Sequence, residues 1–166
     1  MNPYVVIDIG GTSIKYGLAD AKGQLLETHE MPTEAQKGGP HILNTTKEIV
    51  ARYLKKHPLA GVAISSAGMV DPDKGEIFYA GPQIPNYAGT QFKKEIEETF
   101  QIPCEIENDV NCAGLAEVTT GHAKGSNNAV CLTIGTGIGG CLLLDGQVFH
   151  GFSNSACEVG YLHLPD

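Results

Sequence analysis

VVIDIGGTSIKYG, residues 5–17, sets two strand-like runs on either side of an acid, two glycines and a hydroxyl. YVVIDI, an apolar run broken only by Asp8, predicts a strand over 4–9, and IKYGLA predicts a second strand over 14–19. QLLETHEM, 24–31, reads as a third, joined to the second as an antiparallel hairpin by the turn Asp20–Gly23. A charged loop inside an otherwise good hairpin asks for a reason. Glycines let successive N–H groups converge on an anion at φ values other residues resist, and a neighbouring hydroxyl adds a donor. Gly10, Gly11 and Thr12 meet that need as a phosphate loop, with a plain tight turn as the alternative. Asp8, at the strand end beside them, is well placed to hold Mg²⁺ directly or through water. Lys15 either faces the phosphates or is a solvated strand lysine.

Farther along, HILNTTKEIVARYLKKH, 41–57, has helical spacing at Ile42, Ile49, Val50, Tyr53 and Leu54. A buried-type strand follows over 59–65, then a polar Pro- and Gly-rich stretch, 68–89, long enough to be a functional loop. Helix then strand recurs over 90–100 and 103–107, a further helix is expected over 108–121, and strands surround a last glycine loop. A meander followed by alternating helices and strands implies an α/β domain with a mixed sheet. VVIDIGGTSIKYGLADAKGQLL and VCLTIGTGIGGCLLLDGQVF share one plan of strand, glycine loop, strand, turn, strand. That repeat suggests two related domains, 1–122 and 123–166, each presenting a glycine loop to a shared cleft, the second only begun.

Composition narrows the function. The 166 residues are 42% hydrophobic and 18% charged, as in a globular protein, and the net charge of −8 argues against nucleic-acid or anionic-membrane surfaces. Five cysteines without a C-x-x-C pair suit neither a disulfide framework nor a zinc ribbon. Together with the lack of a secretory leader pattern or an apolar run of membrane-spanning length, they make a cytoplasmic location the expectation.

GTGIGG matches G-x-G-x-x-G at Gly135, Gly137 and Gly140, but CLLLD after it is strand-like. The dinucleotide fingerprint needs a helix there, so that reading is rejected. Gly135, Thr136 and Gly137 instead offer a second phosphate loop. In EIENDVN, Asp109 follows a strand and opens a helix, whose macrodipole favours the ionised form. An ionised aspartate in a cleft can accept a hydroxyl proton, as phosphoryl transfer to an alcohol requires. Asn108 and Asp109 could also be helix caps only. Glu158, among small residues in SNSACEVGYLH, could hydrogen-bond a polyol or be a surface glutamate.

DIGGTSIKYG, ENDVNCAGLAE, TIGTGIGGCLLLDG and ACEVG together resemble, in order and spacing, the ROK family of sugar kinases, repressors and open reading frames. The resemblance runs almost end to end and implies the actin-like ATPase (ribonuclease-H-like) fold and phosphorylation of a hexose or hexose derivative by ATP. It makes Asp8, Gly10, Gly11, Thr12 and Lys15 the first phosphate loop and Thr136 and Gly137 the second. Asp109 becomes the base, with Asn108 and Glu158 orienting the sugar. GPQIPNYAGT looks like the family's substrate loop, bringing in Gly81 and Gln83, although Gln83 and Tyr87 replace the commoner asparagine and tryptophan. Tyr161 stands where the family usually has a zinc-ligating histidine, which puts zinc in question. Family repressors carry a winged helix ahead of their first strand, whereas this strand begins at Tyr4, so no nucleic-acid partner is expected. Family kinases run to nearly twice this length, the other half holding the adenosine and completing the second domain, and the resemblance suggests a homodimer formed through that half. The 166-residue chain alone would be a weak kinase, an inactive fragment or a non-catalytic sugar-binding module.

Overall fold

β1 (Tyr4–Ile9) lies inside a five-stranded mixed sheet. On one side it pairs antiparallel with β2 (Ser13–Ala19), which pairs antiparallel with β3 (Leu25–Pro32). On the other it pairs parallel with β4 (Gly61–Ser66), which pairs parallel with β7 (Cys104–Asn108). The structure is a computed structural model that describes residues 2–135 and 137–162. Period-two alternation puts Val5, Ile7 and Ile9 into the core, where Ile42, Ile49, Val50 and Tyr53 of α1 (Gly39–Leu54) join them. Phe92 and Ile96 of α2 (Phe92–Phe100) are buried in the same core. Asp8, Ser65 and Lys15 are left on the opposite face.

At the β2–β3 turn, the Asp20 carboxylate accepts the N–H groups of Lys22 and Gln24 at 2.8 and 2.9 Å. β3 is solvent-exposed along nearly its whole length and carries Glu27, His29 and Glu30, charges suited to an open sheet edge. The stretch read as one long loop contains an antiparallel hairpin, β5 (Met69–Asp71) with β6 (Glu76–Tyr79). Its strands are too short for alternation to reveal them.

Compact packing divides the chain after Asn108. The first unit holds the five-stranded sheet. The second, from Asp109 on, holds α3 (Asp109–Thr119) and an antiparallel sheet of β8 (Ala129–Ile134), β9 (Ile138–Leu144) and β10 (Gln147–Val148), with β9 in the middle. The division falls ahead of the expected 122/123 boundary because α3 packs on this second sheet. A Cβ on Gly114 would run into the Cys141 Sγ, so glycine is what lets helix and strand approach. The internal repeat is real at the level of topology: β2 lies between β1 and β3 as β9 lies between β8 and β10. All five cysteines are free thiols, and among the described residues no helix is long and apolar enough to cross a membrane.

Candidate functional site

The first glycine loop is closed at its base by the Ile9–Ile14 pair and by the Gly10 N–H donating to the Ser13 carbonyl at 3.0 Å. Neither Gly10 nor Gly11 lies in the left-handed region. The expected reason for glycine, an unusual φ, is therefore not the one that operates. Space is: an added Cβ on Gly11 would meet nothing within 4 Å, and the same holds at Gly135 and Gly137. The chain's own packing does not demand glycine at those three positions, but a ligand approaching the backbone closely would. Among the described residues, the Gly11 and Thr12 N–H groups find no acceptor in the chain. The loop thus offers unpaired donors beside an open space, the fit a phosphate group needs.

Asp8 sits one residue before that strand's end, and Ser65, its register partner on β4, donates its hydroxyl to Asp8 Oδ1 at 2.8 Å. Sequence reasoning passed over Ser65, because its relevance depends on a partner 57 positions away. Lys15 pairs in register with Asp8 on the other side, shares its face and is solvent-exposed. Glu107 occupies the position next to Ser65 on β7, so the strands align one polar row across the sheet. Among the described residues no three His, Cys, Asp or Glu side chains gather as a metal-ligand set. The chain offers a divalent ion one oriented carboxylate at Asp8, which suits Mg²⁺, an ion usually shared between one or two carboxylates, water and substrate phosphates.

The loop after β6 is anchored from its buried side. Tyr87 is 1% exposed, and its hydroxyl lies 2.6 Å from the Ser66 Oγ. Since the Ser66 hydroxyl donates to the Ala67 carbonyl, the tyrosine is the donor in this pair. Thr90 Oγ1 donates to the Tyr87 carbonyl at 2.6 Å, closing the loop on itself. Tyr87→Phe is expected to cost about 1 kcal/mol of stability, the usual worth of such a bond; urea denaturation checks this. Gln83 is exposed and folds its side-chain amide over Gly81, where a Cβ would strike its Oε1. Asn108 ends β7 and donates its Nδ2 to the Gly68 carbonyl at 2.9 Å. Gly81, Gln83 and Asn108 therefore all belong to the first unit.

In the second unit, Asp109 is the first residue of α3, is exposed, and accepts the Val110 N–H on Oδ1 at 2.9 Å. Glu158 follows Cys157, whose φ of 65° is a conformation non-glycine residues adopt at a cost. Gly140 and Gly160 let this segment settle on β9: a Cβ on the first would strike the Cys157 carbonyl, one on the second the Ile138 carbonyl. Burial, and after it the Asp109 carboxylate, push the Glu158 pKa above the usual carboxylate range. The structure therefore brings these two acids within electrostatic reach of each other. Thr136 lies outside the described residues.

The sign of the Glu158 shift yields a test. A raised carboxylate pKa favours the native state at pH values below the unfolded-state value, and that contribution is lost as pH rises through the raised value. As pH rises above the unfolded-state value, Glu158 is therefore a growing burden on the fold. Glu158→Gln is expected to raise the melting temperature relative to wild type more at pH 7 than at pH 4, an effect kept small by partial exposure. Paired melting curves at the two pH values check it.

A sequence model of the ROK family matches residues 4–166. An uncharacterised protein of Clostridium perfringens is 54% identical over 162 residues, covering 98% of this chain and 55% of that protein. The β-glucoside kinase of Klebsiella pneumoniae is 37% identical over 156 residues, covering 93% and 50% respectively. Among solved structures, a ROK family glucokinase from Streptomyces griseus in complex with glucose and AMPPNP is similar at a TM-score of 0.85 and 29% identity, over 98% of this chain and 51% of that one. The chain spans about half the length of the curated relatives it matches. With a family match over nearly its whole length and the mixed-sheet architecture of the actin-like ATPases, the chain belongs to the ROK family.

Proposed function

We propose that the protein to which this chain belongs transfers the γ-phosphoryl group of ATP to a hydroxyl of a hexose or hexose derivative. The observation that carries this reading is the open glycine loop with unpaired Gly11 and Thr12 N–H groups beside the oriented carboxylate of Asp8. A simple sugar-binding module needs neither. The glucokinase complex with AMPPNP and the β-glucoside kinase support the same direction.

In this reading the first domain binds sugar and carries Asp8, Gly10, Gly11, Thr12 and Lys15 toward the phosphates, while the second begins the ATP-binding domain with Gly135, Thr136 and Gly137. Asp8 would hold Mg²⁺ through water, the arrangement a single carboxylate favours; bound there, the ion would neutralise charge on the phosphate oxygens. Asp109 accepts the proton of the attacking sugar hydroxyl as that hydroxyl's oxygen bonds to the γ-phosphorus and the bond from phosphorus to the departing ADP breaks. Asn108, Gly81, Gln83 and Glu158 position the sugar through hydrogen bonds. Glucose, N-acetylmannosamine and a β-glucoside are the candidate acceptors. The parent protein is read as a cytoplasmic homodimer, and the charge of −8 on these 166 residues supports the reading that this part binds neither nucleic acid nor membrane.

A coupled ADP-release assay with Mg-ATP over a hexose panel tests this, run on the full-length protein and the 166-residue chain side by side. Sugar-dependent ADP release by the full-length protein is expected. Sugar that raises the melting temperature of both without any ADP release would overturn the kinase reading in favour of a binding module.

A further inference from the structure

We propose that Thr33 is a positioning residue for the first phosphate loop, holding its peptide planes so that the Gly11 N–H points toward the ligand. This rests on the reading of that loop as a nucleotide phosphate site.

Thr33 follows the last residue of β3 and is 1% exposed. It makes two contacts to the loop, and both take carbonyls. Its Oγ1 donates to the Gly10 carbonyl at 2.6 Å, and its N–H donates to the Thr12 carbonyl at 3.0 Å. A trans peptide is planar, and its C=O and N–H point in opposite directions. Drawing the Gly10 carbonyl toward buried Thr33 therefore turns the Gly11 N–H away from Thr33. In an ordinary two-residue turn the Gly10 carbonyl would accept the N–H three residues on. Here the threonine hydroxyl takes that carbonyl instead, and the Gly11 N–H has no acceptor among the described residues.

Neighbouring features agree with this role. Thr33 continues the β2–β3 ladder by one rung past the Ser13–Pro32 pair, so the edge of the sheet fixes its position. A buried hydroxyl needs a partner, and valine, nearly the same shape, would meet the packing requirement alone. The hydroxyl is therefore spent on loop geometry.

The test uses full-length wild type, Thr33→Val and Thr33→Ser. Three measurements are made: KM for ATP and for the best sugar, the affinity for Mg-ADP by calorimetry, and amide exchange of the peptide spanning residues 9–14. Thr33→Val is expected to raise KM for ATP and the Mg-ADP Kd about tenfold, as loss of one well-placed hydrogen bond allows. KM for the sugar should stay within about twofold, exchange at the Gly10 amide should quicken, and Thr33→Ser should restore all three. Equal rises in both KM values, or a Mg-ADP affinity unchanged by Thr33→Val, would overturn the proposal. If wild type binds Mg-ADP in a Thr33-dependent way yet phosphorylates no sugar, the kinase reading fails and this inference stands. If wild type binds no Mg-ADP, both fail.

Discussion

Asp109→Asn is expected to lower turnover at least ~10²-fold while leaving sugar affinity close to wild type, as removal of a general base does. The substitution is chosen for what it keeps. Asparagine retains an Oδ1 that can accept the Val110 N–H, the bond that Asp109 makes at the start of α3. It also retains the side chain's shape, so the fold and the hydrogen bonds to a sugar hydroxyl survive. What it removes is a group basic enough to take the hydroxyl proton. Single-turnover kinetics with calorimetric sugar binding would separate the two effects. Near-normal turnover would remove Asp109 from the base role; a large loss of sugar affinity with unchanged turnover at saturation would make it a binding residue instead.

The first unit was legible in the sequence wherever a signal was local. The apolar run YVVIDI reads as a strand, and Ile42, Ile49, Val50 and Tyr53 recur at helical spacing, so β1 and α1 lie within two residues of the reading at their starts. The hairpin of Met69–Asp71 with Glu76–Tyr79 escaped because three- and four-residue strands carry no period. The residence of α3 escaped because its sequence shows a helix but not the sheet that helix covers; only the tight approach at Gly114 reveals that.

The candidate site divides in the same way. Asp8, Gly10, Gly11 and Asp109 stand at the ends of strands and the start of a helix, where sequence patterns mark a change of direction. Ser65 and Thr33 carry no such mark. One orients Asp8 from 57 residues away and the other grips Gly10 from 23 away, and each looks alone like a common strand or loop hydroxyl. The glycines were recognised for a partly different reason than the one that holds. Gly10 and Gly11 do not use the left-handed freedom expected of them. At Gly11 the missing side chain leaves room in front of an N–H group.

Asp8→Ala is expected to reduce turnover by at least ~10³-fold, since aligning a metal ion on transferring phosphoryl oxygens contributes several kcal/mol. The fold should tolerate it. Asp8 lies on the face of β1 opposite Val5, Ile7 and Ile9, is only half-buried, and leaves behind one serine hydroxyl at Ser65 that solvent can satisfy. Asp8→Asn distinguishes charge from geometry. Its side-chain oxygen can still accept the Ser65 hydroxyl, so a purely structural role for Asp8 predicts nearly full activity in the asparagine variant and a deficit in alanine alone. A metal-holding role predicts that both variants fail together, because the amide oxygen is a much weaker partner for a divalent cation than a carboxylate. Ser65→Ala should fall between, keeping the charge but loosening its aim, and should raise the Mg²⁺ concentration needed for half-maximal rate. Titrating Mg²⁺ against turnover for all three, with melting curves to confirm the fold, reads the outcome. An Asp8→Asn protein that turns over like wild type would end the case for Asp8 at the metal.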